Sequence, residues 1–390
     1  MVNQTHILSL LLCISFGIKA FGQSDSLKSN SVWKKMSLNG YVKDMNIIAI
    51  PSINGIWNFD HLIHNRLNYN WDLTKSLSLQ IEARNRLFIG ESAKNNPAFG
   101  ALIDQNLDYF KFGGIVIQEQ SFILHTVIDR ANLSFTKGKW QTVIGKQRIN
   151  WSQSYVWNPN DIFNAYSFFD FDYEERRGTD AIFLRYETSP LSSIQLASSI
   201  HDDWDSTIIA AYYRFNKWNY DFQAIGGKYQ NDFYLGVGWA GQLKTIGFNG
   251  ELSYFDPYTT SSQGTFIGDI SLDYRLPNTL NFRLEAIYNS NPAASFSGVF
   301  FLQPVTAKSL TFNHWSAFAS IGYDFTPLLK FNLNGIWNID DESFFINPNL
   351  NISINKNSEL LLALQTFTGS YGSLYYGLGT YIYTRLKFNF

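Results

Sequence analysis

From residue 37 onward the chain alternates. Leu77, Leu79, Ile81, Ala83, Leu87 and Ile89 interleave with Gln80, Glu82, Arg84 and Arg86. Further on, Trp315, Ala317, Ala319, Ile321, Tyr323 and Phe325 interleave with Ser316, Ser320 and Asp324, and Phe331, Leu333, Gly335, Trp337 and Ile339 with Lys330, Asn332 and Asn334. A period of two puts successive side chains on opposite faces, so the pattern predicts strands with one apolar and one polar face. Eighteen such segments follow one another, near 37–49, 63–73, 77–89, 124–136, 139–149, 179–188, 191–201, 206–216, 218–229, 231–242, 244–256, 264–275, 279–289, 312–325, 328–340, 344–354, 357–368 and 376–390. Pro348 lacks a ladder donor, so its strand is expected to start at Asn349 or to carry a bulge, and sixteen strands is the other count. Asp44 and Asp129 fall out of phase and predict bulges too.

The connections alternate in length. Thr74-Lys75-Ser76, Lys137-Gly138, Ser189-Pro190, Asn216-Lys217, Thr326-Pro327 and Asn355-Lys356-Asn357 are tight, whereas every long loop, including 90–123, 150–178 and 290–311, falls in the other set. An even strand number with both ends on the short-turn side is the layout of an all-β, transmembrane, antiparallel up-and-down β-barrel of 16–18 strands, with 18 the best count. The reason is the backbone: in hydrocarbon every unpaired amide or carbonyl is costly, so strands span only as a closed ring without edges.

Composition agrees. Aromatic residues make up 17% of the chain, and Tyr69, Trp71, Tyr212, Tyr213, Trp218, Tyr220, Trp239, Tyr254, Tyr274, Tyr288 and Tyr323 sit near segment ends, where amphipathic rings suit the headgroup zones. Past the N-terminal region no apolar run approaches the roughly 18 residues of a membrane helix. A formal charge of -2 gives no basic field for nucleic acid. The apolar stretch 7–18, followed by Lys19, Ala20, Phe21 and Gly22, predicts a signal peptide over 1–22, a short periplasmic segment over 23–36 and a barrel over 37–390. Cys13, the sole cysteine, would leave with the leader, so no disulfide is expected.

If one face meets lipid, the other lines a lumen. The pore-lining candidates are Arg66, Glu82, Arg84, Arg86, Arg130, Lys146, Arg148, Arg185, Arg214, Glu251, Asp273, Arg283 and Glu285, joined by Asp221, Asp269, Arg275 and Lys330. Basic residues gather on the third to eighth strands and acids later, which predicts a field across the pore; pairing of these charges between neighbouring strands is the other reading. The 150–178 loop combines Trp151, Tyr155, Trp157, Phe163, Tyr166, Phe168, Phe169 and Phe171 with Asp161, Asp170, Asp172, Glu174, Glu175, Arg176 and Arg177. So much aromatic surface would not stay in water, so the loop is expected to fold inward and constrict the pore, or else to cap it. The Asp60, His61 and His64 spacing and the His201, Asp202, Asp203 and Asp205 cluster complete no metal shell, and no metal or cofactor is expected. His314 and Ser316, two apart on one predicted face, leave a lipid-modifying enzyme as an alternative, and a non-conducting scaffold of a secretion or surface assembly is another.

The chain end, Tyr383, Leu386, Phe388 and Phe390 with Gly379 upstream, resembles the C-terminal signal by which outer-membrane barrels are handed to their insertion machinery. The chain as a whole is similar to the porin-like barrels of Gram-negative bacteria. Gly145-Lys146-Gln147-Arg148-Ile149-Asn150-Trp151, Val156-Trp157-Asn158-Pro159-Asn160-Asp161 and Tyr173-Glu174-Glu175-Arg176-Arg177-Gly178-Thr179-Asp180 resemble a segment of largely uncharacterised porin-like families, with Ser152 where those families carry a Gly after the Trp. The resemblance implies an outer-membrane channel for passive or facilitated diffusion of small polar solutes, without enzymatic activity. Its implied partners are the lipid bilayer, lipopolysaccharide and the insertion machinery, with a homo-oligomer left open.

Overall fold

Each alternating segment forms a strand. The computed structural model describes residues 35–390 except 54, 105–108, 171, 173, 260–262 and 293–304. The leader expected over 1–22 and nearly all of 23–36 lie outside the described residues. In chain order the strands are β1 (Met36–Ile50), β2 (Asn58–Asp72), β3 (Leu77–Gly90), β4 (Gly113–Gln118), β5 (Phe122–Lys137), β6 (Trp140–Gln147), β7 (Thr179–Ser189), β8 (Ser192–Ser199), β9 (Ile208–Lys217) and β10 (Tyr220–Tyr229). They continue as β11 (Asp232–Leu243), β12 (Ile246–Pro257), β13 (Thr265–Arg275), β14 (Asn281–Asn289), β15 (Trp315–Thr326), β16 (Leu329–Asn338), β17 (Ser343–Ser353), β18 (Ser358–Thr368) and β19 (Gly379–Asn389). Two five-residue helices, α1 (Glu91–Asn95) and α2 (Phe99–Ile103), lie between β3 and β4.

Neighbours in sequence pair antiparallel, and β1 pairs with β19 from Tyr41↔Asn389 to Ile50↔Thr380, which closes the ring. The wall is thus a closed antiparallel barrel of 18 strands, with β4 as an extra member. Closure leaves no long edge unpaired, the condition that an apolar surrounding imposes. Along β11, Phe233, Leu235 and Val237 face outward and are exposed while Tyr234 between them is 0% exposed; along β13, Phe266, Ile270 and Tyr274 face outward and Ile267, Asp269 and Ser271 inward. The apolar set is therefore the outer one, the reverse of a water-soluble sandwich. Tyr212 departs from the expected aromatic girdle: it points inward, 6% exposed.

The β9–β10 turn lies two residues later than the pattern suggested. Trp218 and Asn219 both have positive φ, 56° and 62°, giving the two-residue turn whose twist matches that of the paired strands. Asp129 is the extra residue of a bulge, since the β3–β5 register jumps from Glu82↔Arg130 to Ala83↔Ile128. Toward β19 Asp44 shows no bulge: the β1–β19 register is unbroken there, and Asp44 faces outward beside His61 Nε2.

Pro348 lies inside β17 without a bulge. The β17–β18 ladder omits Asn347 and Pro348 and resumes at Asn349↔Ala363 in unchanged register. Asn347 Nδ2 donates to Leu364 O at 2.8 Å, so a side-chain amide serves the carbonyl opposite the proline. The strand therefore starts at Ser343 rather than Asn349, and the count stays at 18.

The 90–123 loop supplies β4 to the wall. Its residues pair with the upper half of β5, from Gly113↔Val127 to Gln118↔Ile123, on the edge whose lower half pairs with β6 from Ala131↔Lys146 to Lys137↔Trp140. β6 is only eight residues long, and β4 occupies the place into which it would have continued. Just before β6 ends, Gly145 adopts φ 113°, where a Cβ would lie 2.3 Å from Ala131 O. The chain then leaves the wall.

Candidate functional site

The segment that leaves the wall at residue 148 returns at Thr179 and in between runs around the inner face of the barrel. Trp151 stacks on Tyr212 of β9 with ring centres 5.1 Å apart, and its indole Nε1 donates to Gln195 Oε1 of β8 at 2.7 Å. Gln153 Nε2 donates to Gln223 of β10 at 2.9 Å.

Next come three wall carboxylates. Glu251 of β12 accepts the backbone N–H groups of Gln153, Ser154 and Asn160, the last at 2.8 Å. Asp269 of β13 accepts the Ser154 hydroxyl at 2.6 Å. Glu285 of β14 accepts from the N–H groups of Tyr155 at 3.2 Å, Val156 at 3.0 Å and Trp157 at 2.7 Å. A loop folded inside a barrel must place its backbone donors somewhere, and carboxylates on adjacent strands take them. Asn160, 0% exposed, completes this arc: its Oδ1 accepts from the hydroxyls of Tyr234 at 2.7 Å and Ser253 at 2.9 Å.

The middle arc is held by rings. Phe168 packs edge-on against Phe318 of β15 at 5.3 Å, and Phe169 against Phe345 of β17 at 5.0 Å. The last arc is ionic. Asp172 meets Lys43 Nζ of β1 at 3.2 Å and His64 Nδ1 of β2 at 2.8 Å, while Glu174 meets Lys387 at 2.9 Å and Arg385 at 3.2 Å, both of β19. The Tyr41 hydroxyl donates to Glu175 at 2.9 Å, and Arg130 of β5 donates to the carbonyls of Glu175 and Arg176 at 2.9 and 2.7 Å. The loop is thus an internal collar attached to nearly every side of the barrel, not a lid outside it.

Charges on the collar feel this setting. Burial pushes the Asp172 carboxyl up, but Lys43, His64 and Arg385 outweigh it and hold it far below the usual carboxylate range. Glu174 is lowered in the same way, burial being overcome by Lys43, Lys387 and Arg385. Burial pushes Asp161 up to about 6, although Arg148 Nη2 lies 3.6 Å away. Asp170 is raised by burial and by the neighbouring Asp172 charge, against the pull of Arg84, Arg86 and Arg176.

The predicted residues therefore divide. Arg66, fully buried, pairs with Glu82 and with Asp129 at 2.6 Å, and Arg185 pairs with Glu187 at 3.0 Å, so these are charges matched within the wall. Lys146 is 2% exposed, directly opposite Asp180 in the β6–β7 ladder, where Phe110 N donates to Asp180 at 2.7 Å. Arg214 opposes Gln223, and Asp273 opposes Arg283, whose guanidinium sits 3.7 Å over the Tyr155 ring. Arg86 donates to Ile103 O at 3.3 Å and lies 3.2 Å from His125 Nδ1.

On the collar, Phe163 meets Trp151 edge-on at 5.1 Å, and Tyr166 carries the Arg176 guanidinium 3.1 Å over its ring with Arg148 6.0 Å away. Arg177 is half-buried at the collar's exit. Glu251, Asp269 and Glu285, predicted to face the lumen, are buried against the collar and accept its donors. His314 and Ser316 do not meet as a catalytic pair: Ser316 Oγ donates to Asn338 at 2.9 Å, and His314 Nδ1 lies 2.9 Å from Asn289 O.

Periodicity missed one group. Tyr234, Phe255, Ile267, Ile287, Phe318, Ile336, Phe345 and Phe367 point inward on consecutive strands and form, with the collar's rings, the main apolar cluster. The available signal was a strand apolar in both phases at its long-loop end, as in Phe344-Phe345-Ile346.

A large closed antiparallel barrel with short turns at one end, an outward apolar face and a loop folded into its lumen has the architecture of a channel-forming barrel. Solved structures match it over nearly the whole chain. OccAB1 of Acinetobacter baumannii is 11% identical, covering 94% of this chain and 99% of that one at a TM-score of 0.59. The outer membrane protein OprD of Pseudomonas aeruginosa is 10% identical, covering 94% and 96% at 0.57, and OpdK of the same organism, solved with vanillate, is 10% identical, covering 92% and 99% at 0.55. At such identities the likeness is one of fold. No family model and no curated protein matches the chain.

Proposed function

We propose that this protein is an outer-membrane channel through which small polar solutes diffuse, without enzymatic chemistry, the collar forming its selective narrowing. The outward apolar face calls for a bilayer, the long loops would lie on the cell exterior, and residues 1–22 would be removed on export. The motif segments at 145–151, 156–161 and 173–180 contribute about half of the collar, which supports the kinship with porin-like families that the sequence suggests.

The observation that carries the reading is the mixed charge around the collar. Arg84, Arg86, Arg148 and Arg176 bear on the collar's Asp161 and Asp170, with Asp172 beside Asp170 and Asp129 3.5 Å from Arg84 Nε. Such a ring of both signs favours polar and dipolar solutes over apolar ones. OpdK, solved with the carboxylate vanillate, has the same fold.

Planar-bilayer recording in a salt gradient tests this. The expected result is an open channel whose ion selectivity shifts toward cations in Arg86→Ala and Arg148→Ala. A purified, folded barrel that passes no current would refute the channel reading in favour of a scaffold.

A further inference from the structure

Between the collar and the long-loop end lies a cavity of about 240 Å³. Trp157 and Phe168 of the collar form one side, Ser316 and Asn338 of β15 and β16 another, and the segments at 305–312 and 374–375 cover it. Among the described residues no charged side chain lines it. That distinguishes it from the arginine-rich collar immediately below.

Its polar groups are neutral. The Tyr166 hydroxyl donates to Tyr155 O at 3.3 Å, Thr311 Oγ1 to Asn313 O at 2.9 Å, and Ser316 Oγ to Asn338 Oδ1 at 2.9 Å. These three oxygens retain lone pairs, while Ser167, whose Oγ accepts from Phe169 N at 3.3 Å, and the Trp157 indole supply an O–H and an N–H. The cavity therefore offers acceptors, donors and ring faces but no charge. A carboxylate or phosphate would find no cation there, and a cation would find no carboxylate to balance it. The complement is a neutral ring with apolar faces and a rim of hydroxyls. An apolar cavity of about 150 Å³ holds a benzene, so this larger one has room for one six-membered ring with its substituents and not for two.

We propose that this cavity is a subsite for a single neutral pyranose, its C–H faces against Trp157 and Phe168 and its hydroxyls donating to Thr311 and Ser316. The proposal rests on the channel reading, since the solute would pause here before meeting the collar.

The test uses D-glucose as probe on the full-length exported protein. Titration calorimetry in detergent should detect glucose binding, and glucose should reversibly block single-channel current from the long-loop side. Leu374→Trp, which fills the cavity, should abolish both, and Thr311→Val should weaken binding about tenfold at most, the worth of one hydrogen bond; in each variant small-ion conductance should match that of the unsubstituted protein. Current without glucose binding overturns the subsite and leaves the channel standing. Binding without any current keeps the subsite and removes the channel. Binding indifferent to Leu374→Trp and Thr311→Val, or binding of benzyl alcohol in preference to glucose, also overturns the proposal.

Discussion

Replacing Glu285 by alanine removes one acceptor and orphans three donors. Its carboxylate accepts the N–H groups of Tyr155, Val156 and Trp157 at 3.2, 3.0 and 2.7 Å, and Val156 and Trp157 are almost fully buried, so water has little access to replace it. Each of the two buried donors left unsatisfied costs about 1–3 kcal/mol, while Tyr155, 46% exposed, turns to water, so the segment loses about 2–6 kcal/mol of attachment. Even about 2 kcal/mol raises the detached population about thirtyfold. The barrel wall, whose β13–β14 and β14–β15 ladders do not use this side chain, should stay closed. We predict that Glu285→Ala gives a larger and noisier single-channel conductance and opens residues 153–160 to protease, while the heat-induced mobility shift of the folded barrel on gels is retained. Glu285→Gln keeps one acceptor oxygen and should fall between the two. Conductance and cleavage pattern equal to those of the unsubstituted protein would refute the idea that wall carboxylates hold the collar by its backbone.

Three further outcomes follow. Asn347→Ala should destabilise the barrel by about 1–3 kcal/mol in denaturant titration, because Leu364 O loses its donor; adding Pro348→Ala, which restores a backbone N–H, should recover much of the loss. Asp161, whose carboxyl is raised to about 6 by burial, stabilises the collar most below its ordinary range near 4, and that contribution is lost as pH rises through 6. Collar resistance to protease should therefore increase from pH 7 to pH 5, and Asp161→Asn should flatten the step. Asp172 has the opposite sign: held far below its usual range, its contribution is present above about pH 4 and survives mild acid, so the ionic arc should not loosen over the same interval.

The sequence by itself determined the wall. A side-chain period of two together with alternating turn and loop lengths is a local signal, and closure follows because unpaired edges are intolerable in an apolar surrounding. The aromatic, acid-rich 150–178 loop could be recognised as functional for an equally local reason, that so much apolar surface needs cover. Only the tertiary structure decided what the charges do. Glu285 and Arg66 look alike along the chain, inward-facing and ionisable, yet one caps the backbone of a loop 128 residues away while the other pairs across strands with Asp129. Which partner a lumenal charge meets depends on the path of the loop through the interior, and that path is fixed by contacts between residues far apart in sequence, which periodicity does not encode. The same holds for β4, whose place in the wall exists only because β6 stops at Gln147 and leaves the edge of β5 to be paired.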